Sequence, residues 1–187
     1  MFSKLVKSGL VTLALLVAGG AHSAAILDAP TDPVLVGSTF EVDVAFAFGA
    51  PLGPDTSVGG FDFNVDSLLG VSFLDASVNP DFDAFVSPGA VSGFSLFGVP
   101  VVGDSIALAT LTFMADTVGV GSGSIFGDPQ DLLFPGGLQL IDGFGFPIDL
   151  LEIAGDFRVD VIEAASVPLP GTLALLMLGA FVVRRAK

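Results

Sequence analysis

Thr39-Phe40-Glu41-Val42-Asp43-Val44-Ala45-Phe46-Ala47-Phe48 is the stretch that decides the fold of this chain. Each even position is a bulky apolar residue, and Glu41 and Asp43 stand between them. Successive side chains of an extended strand point to opposite faces, so the alternation predicts a strand with one face in a core and the other in water. Downstream, residues 49–60 contain Gly and Pro and read as a loop, after which Phe61, Phe63 and Val65 alternate with Asp62, Asn64 and Asp66. Further strands are predicted at 70–75, 91–97, 105–115, 122–126 and 156–162, each bounded by Gly, Pro, Asp or Asn. Residues 127–151 are less regular. Their Gly136-Gly137, alternating Leu138 and Leu140, and Phe144-Gly145-Phe146-Pro147 fit a hairpin plus a long connection. No segment between residues 26 and 163 carries a helical period. Many short strands separated by turn chemistry predict an all-β domain of two packed antiparallel sheets about 10 Å apart.

Composition restricts what such a domain does. All twenty acidic residues of the chain lie between Asp28 and Glu163, whereas Arg158 is the only basic residue there. Twenty carboxylates against one guanidinium give a formal charge of about −19. This field repels phosphates and anionic headgroups, which excludes nucleic acid as a partner. Salt bridges contribute little where one cation is present, so stability rests on apolar burial and backbone pairing, with sixteen phenylalanines supplying the burial. Cysteine, Tyr and Trp are absent from the chain, and His22 and every Lys fall outside this segment. Most general bases, covalent nucleophiles and nitrogen or sulfur metal ligands are thereby removed, and a noncatalytic role is expected. Hydrolysis of sugars by paired carboxylates needs only Asp and Glu, yet nothing singles out one pair among seventeen Asp and three Glu. Sugar platforms commonly use Trp or Tyr, and the alternation assigns most of the Phe residues to the core.

Both ends read as targeting signals. Lys4 and Lys7 form a basic region, Leu10 to Val17 an apolar one, and the small residues from Ala21 to Ala25 offer a peptidase site. Residues 1–25 are thus read as a secretory signal peptide, cleaved after Ser23 or after Ala25; the alternative is an uncleaved membrane helix. At the other end, Val167-Pro168-Leu169-Pro170 precedes an apolar run from Leu169 to Val183, and Arg184, Arg185 and Lys187 close the chain. As a helix those fifteen residues would rise about 22 Å, somewhat less than a hydrocarbon core of roughly 30 Å. The basic cluster would stay on the cytoplasmic side and leave the preceding domain outside.

This arrangement resembles the PEP-CTERM sorting signal of Gram-negative bacteria, with Val167, Pro168, Pro170, Arg184 and Arg185 matching and Leu169 standing where the family name has Glu. The resemblance implies that residues 167–187 are a sorting signal with a transmembrane helix. It further implies that an exosortase, a membrane transpeptidase, processes the precursor, and that the domain reaches the cell surface or extracellular matrix.

A second resemblance covers residues 26–163. Val36-Gly37-Ser38-Thr39-Phe40-Glu41-Val42, Gly59-Gly60-Phe61-Asp62-Phe63-Asn64-Val65-Asp66 and Leu108-Ala109-Thr110-Leu111-Thr112-Phe113 look like successive strand signatures of cohesin-type domains. That family implies a jelly-roll sandwich of about nine strands, and a partner docked on the sheet face that includes Phe61 to Asp66. On this basis Asp62 and Asn64 are interface candidates, although the same residues also suit the solvated face of an amphipathic strand.

Two acidic segments are candidate calcium ligands. Asp81 and Asp83 would project to one side of an extended segment, and Asp128 and Asp131 bracket a turn with proline. Neither has the spacing of a known calcium loop, and Asp is common in turns for backbone reasons alone. Apart from calcium, no cofactor is expected. Gly119-Val120-Gly121-Ser122-Gly123-Ser124 lacks the lysine of a phosphate-binding loop and reads as a flexible hairpin connection. Together these features predict an exported surface or matrix protein, sorted by exosortase, that serves adhesion, biofilm or exopolysaccharide association. A carbohydrate-binding module or a carboxylate glycosidase is the alternative.

Overall fold

The computed structural model describes residues 24–129 and 136–164. Residues 1–23 of the expected signal peptide, the expected sorting signal at 167–187 with Val167, Pro168, Leu169, Pro170, Arg184 and Arg185, and the calcium candidate Asp131 lie outside these residues, while Ala24 and Ala25 open the first strand.

Among the described residues the chain forms twelve strands and no helix. They are β1 (Ala24–Asp28), β2 (Val34–Leu35), β3 (Thr39–Ala47), β4 (Ser57–Leu69), β5 (Val71–Val78) and β6 (Asp83–Ser87). The second half supplies β7 (Ala90–Pro100), β8 (Ser105–Ala115), β9 (Gly119–Gly127), β10 (Gly137–Ile141), β11 (Pro147–Leu151) and β12 (Ile153–Ile162). The expected all-β, two-sheet sandwich is present with more than the nine strands anticipated. The smaller sheet runs β1-β3-β8-β5. In the larger sheet the long strand β4 is central, with β7 and then β6 on one side. Its other side forks: residues 57–62 pair with β10, which leads to β11, while residues 64–69 pair with β9, which leads to β12 and β2. The β2–β12 pair is parallel, an exception to the antiparallel expectation.

Alternation places the core as the sequence predicts. On β3, Phe40, Val42, Val44 and Phe46 are buried, while Glu41 and Asp43 face water. Phe40 stacks on Phe113 of β8 at 5.6 Å between ring centroids, and Phe113 meets Phe157 of β12 at 4.7 Å. These rings join the two sheets, and aromatic pairs in such geometries add about 0.5–1.5 kcal/mol beyond area burial. No polar or charged side chain is buried among the described residues.

Two expectations are corrected. The loop after β3 ends at Thr56, because β4 begins at Ser57 and its two glycines are strand residues. Gly119 to Ser124 is likewise part of β9, paired with both β12 and β4, and no hairpin connection. Its inward positions are glycines because the space is occupied: a Cβ on Gly123 would lie 2.6 Å from Phe157 and 2.8 Å from Leu68. Most of the described phenylalanines are in or against the core, as the alternation predicts, while Phe85, Phe94, Phe97, Phe126, Phe144 and Phe146 are exposed.

Candidate functional site

Strand register builds a groove on the outer face of the larger sheet. Because Phe61, Phe63 and Val65 take the core side of β4, Gly60, Asp62 and Asn64 line up on the other. Asp62 lies opposite Ser92 of β7 and Gly137 of β10, and Ser92 lies opposite Phe85 of β6. In the adjoining row Gly60 lies opposite Phe94 and Gln139, with Asp83 beyond Phe94 and Leu150 beyond Gln139. Small residues therefore occupy the middle of both rows, while Phe85 and Phe94 rise on one flank and Gln139 and Leu150 on the other. The resulting trough has a volume of about 300 Å³. Glycine is required at its floor, since a Cβ on Gly60 would lie 2.8 Å from the Gly93 carbonyl oxygen.

The rim at one end is apolar. Between the Gly60–Phe94 and Val58–Val99 pairs, β4 supplies Gly59 alone while β7 supplies residues 95–98, so β7 bulges and Phe97 is 89 % exposed. Beside this bulge is the β10–β11 turn. There Asp142 Oδ1 accepts the backbone N–H groups of Phe144 and Phe146, both at 2.9 Å, and Gly145 takes φ +84°. The turn holds Phe144 89 % exposed and Phe146 beside it. The Asp142 bonds set the backbone of the turn before any partner arrives, which lowers the entropy cost of binding at Phe144.

Electrostatically the groove is acidic and uncompensated. Asp62 is half-buried, and burial raises its carboxyl pKa above the ordinary 3.8; the hydrogen bond with the Ser92 side chain acts in the opposite direction. Asp83 stands exposed on the wall. Arg158, the one cation of this domain, lies on β12 opposite Ser122 of β9 and lines a different depression with Asp28, Asp156 and Asp160. A third depression, on the outer face of the smaller sheet, is floored by Ala45, Ala107 and Ala109. No aromatic side chain lines it, and its Asp43 already accepts a hydrogen bond from the Thr110 hydroxyl at 2.6 Å.

Of the interface candidates, Asp62 sits in the groove floor, while Asn64 is exposed farther along the same face, opposite Phe126. Of the calcium candidates, Asp81 and Asp83 do not share an extended segment. Residues 79–82 turn, with the Phe82 N–H bonded to the Asn79 carbonyl at 3.0 Å and the Asp81 N–H to the Asn79 side chain at 3.0 Å. Asp83 opens β6 and belongs to the groove. Asp128 follows β9, and its carbonyl accepts the Gly136 N–H at 2.9 Å. Among the described residues no three acidic or histidine side chains converge as a metal site.

Sequence reasoning missed Phe85, Phe94, Ser92, Gln139 and Leu150. One signal was available in Val91-Ser92-Gly93-Phe94. The apolar residues change parity between Val91 and Phe94, and a strand cannot point both parities into one core. Val91 is buried and Phe94 is 52 % exposed.

No family model matches the chain, and no curated protein matches it. Solved structures similar to it include the cohesin module of a family 33 glycoside hydrolase from Clostridium perfringens, at 17 % identity and TM-score 0.46 over 76 % of this chain and 98 % of that one. A type II cohesin domain from the cellulosome of Acetivibrio cellulolyticus is 10 % identical, with TM-score 0.47 over 73 % of this chain and 94 % of that one. A non-cellulosomal cohesin from the archaeon Archaeoglobus fulgidus is 17 % identical, with TM-score 0.44 over 75 % and 92 %. Likenesses this distant carry no statement about partner or activity.

Proposed function

We propose that this chain is an exported, noncatalytic binding module that docks a protein partner on the outer face of its larger sheet. The observation that carries the reading is the aromatic-walled groove around Asp62, to which are added the exposed Phe97 on the same strand as Phe94 and the exposed Phe144 in the turn after the strand that carries Gln139. An exposed apolar patch of this kind on a soluble domain marks an interaction surface. In the same proposal, residues 1–25 direct export through the secretion machinery and signal peptidase. Residues 167–187 then hold the precursor in the membrane until an exosortase processes it, and the domain serves adhesion or biofilm matrix assembly at the surface of a Gram-negative cell.

The sorting step predicts that Pro168→Ala with Pro170→Ala leaves an unprocessed, membrane-held precursor. An unchanged mature mass in that double variant, read by mass spectrometry, counts against exosortase recognition. The docking step is tested with surface material stripped from the producing cells. Binding of the purified protein should fall when that material is treated with protease and when Phe94 is replaced by Ala. Binding that survives protease but is lost after periodate oxidation of the material would make a polysaccharide the ligand and replace the protein-docking reading with a carbohydrate-binding module.

A further inference from the structure

We propose that the groove receives a lysine or arginine side chain of the protein partner, with the aliphatic stem along the Phe85 and Phe94 wall and the cationic end in the joint field of Asp62 on the floor and Asp83 on the wall. This rests on the docking reading above and adds the chemistry of the contact. Charge complementarity argues for it first. The groove contains two carboxylates and no cation, and the domain cannot supply one, because Arg158 stands on β12, two strands from β4 across β9. An apolar side chain lowered into the groove would strip more water from Asp62 and leave its charge unmatched, whereas a cation repays that desolvation. An anionic group is repelled at contact and by the field of the domain, which also steers cationic partners inward.

The walls select the shape of that cation. Aromatic faces attract ammonium and guanidinium groups, and long basic side chains bury their methylene stems against apolar surface while the charged end stays hydrated. Phe85 is 69 % exposed, so its ring is free to be covered. At about 300 Å³ the trough is at the lower limit of pockets that enclose a whole small ligand, which suits one long side chain and its flanking backbone. The raised carboxyl pKa of Asp62 agrees with this arrangement, because a cation brought to it would shift it back down.

The test uses protein purified from cells expressing the full chain and follows backbone amide signals by NMR. The probes are N-acetyl-lysine N-methylamide, N-acetyl-arginine N-methylamide and the uncharged norleucine counterpart. The lysine or arginine probe is expected to shift Gly60, Asp62 and Phe94 saturably and to bind about threefold or more tightly than norleucine. Asp62→Asn and Asp83→Asn should each weaken the basic probes by a similar factor while the remaining spectrum stays unchanged, which shows an intact fold. Norleucine binding as tightly as lysine, indifference to both Asn variants, or no saturable shift would each overturn the proposal. The same variants separate it from the docking reading. If the protease-sensitive binding to surface material is lost in Phe94→Ala but kept in the Asp62→Asn, Asp83→Asn double variant, the cation is wrong and the docking face stands. Retention in all of them overturns both.

Discussion

Asp62 shows how one residue is set against the stability of its own domain. Its folded-state carboxyl pKa is raised, first by burial, so the native protein holds that proton more tightly than the unfolded chain. Ionisation therefore opposes folding, with a penalty that is absent well below pH 3.8 and grows as pH rises through and above that value. Asp62→Asn should raise the melting temperature at pH 7 by more than Asp104→Asn, an exposed carboxylate away from Arg158 that reports general charge relief, and the gain should vanish in acid. Thermal melts of the three proteins at pH 3 and pH 7 check this. Gly123 makes the opposite case, a small residue demanded by large neighbours. Adding one methyl group puts it 2.6 Å from the Phe157 ring, and Gly123→Ala should cost about 1–3 kcal/mol of unfolding free energy, measurable by urea titration.

At the level of elements, β1 bears on where the proposed signal peptide is cut. Its pairing with β3 runs from Ala24 opposite Ala47 to Asp28 opposite Asp43, and Leu27 reaches across to the space above Gly155 in the other sheet. Removal of residues 1–23 leaves this ladder whole, whereas removal of 1–25 deletes its first two pairs. Amino-terminal sequencing of the exported protein should give Ala24, and a version starting at Ile26 should melt at a lower temperature. The strands legible in the sequence were those with one wet face. Phe40 to Phe48 and Phe61 to Asp66 declare themselves because Glu41, Asp43, Asp62 and Asn64 must face water. β6 was illegible because Asp83-Ala84-Phe85-Val86-Ser87 presents no alternation, its apolar Phe85 facing outward. Of β9 the sequence declared only 122–126; its start was hidden because the inward positions Gly121 and Gly123 signal the core by absence of a side chain. Asp62 was a candidate only through the resemblance of its strand to the cohesin-type signature, since alternation alone marks it as a solvated face. The groove could not, since it depends on β7 and β10 meeting β4 in one register, and no local pattern encodes that.

For the molecule as a whole, a net charge of about −19 on one domain makes the solution part of its stability. Added sodium chloride should raise the melting temperature by screening self-repulsion. Calcium and magnesium should act alike at equal ionic strength, because no three described acidic side chains converge. A gain that saturates at low calcium and is not reproduced by magnesium would instead establish a specific site. The forked sheet has a mechanical consequence as well. The groove lies near the end where Asn64 faces Phe126 and Ala154 pairs with that same Phe126, whereas β12 leaves the sheet at the other end, past Val161 opposite Gly119. Tension between a partner in the groove and an attachment beyond residue 163 therefore runs parallel to the strands. It loads the nine β12–β9 pairs and the flanking β2 clasp in shear, so they must fail together rather than unzip one at a time. Single-molecule pulling across those two points should give a higher rupture force than pulling β12 away from its Ile153 end.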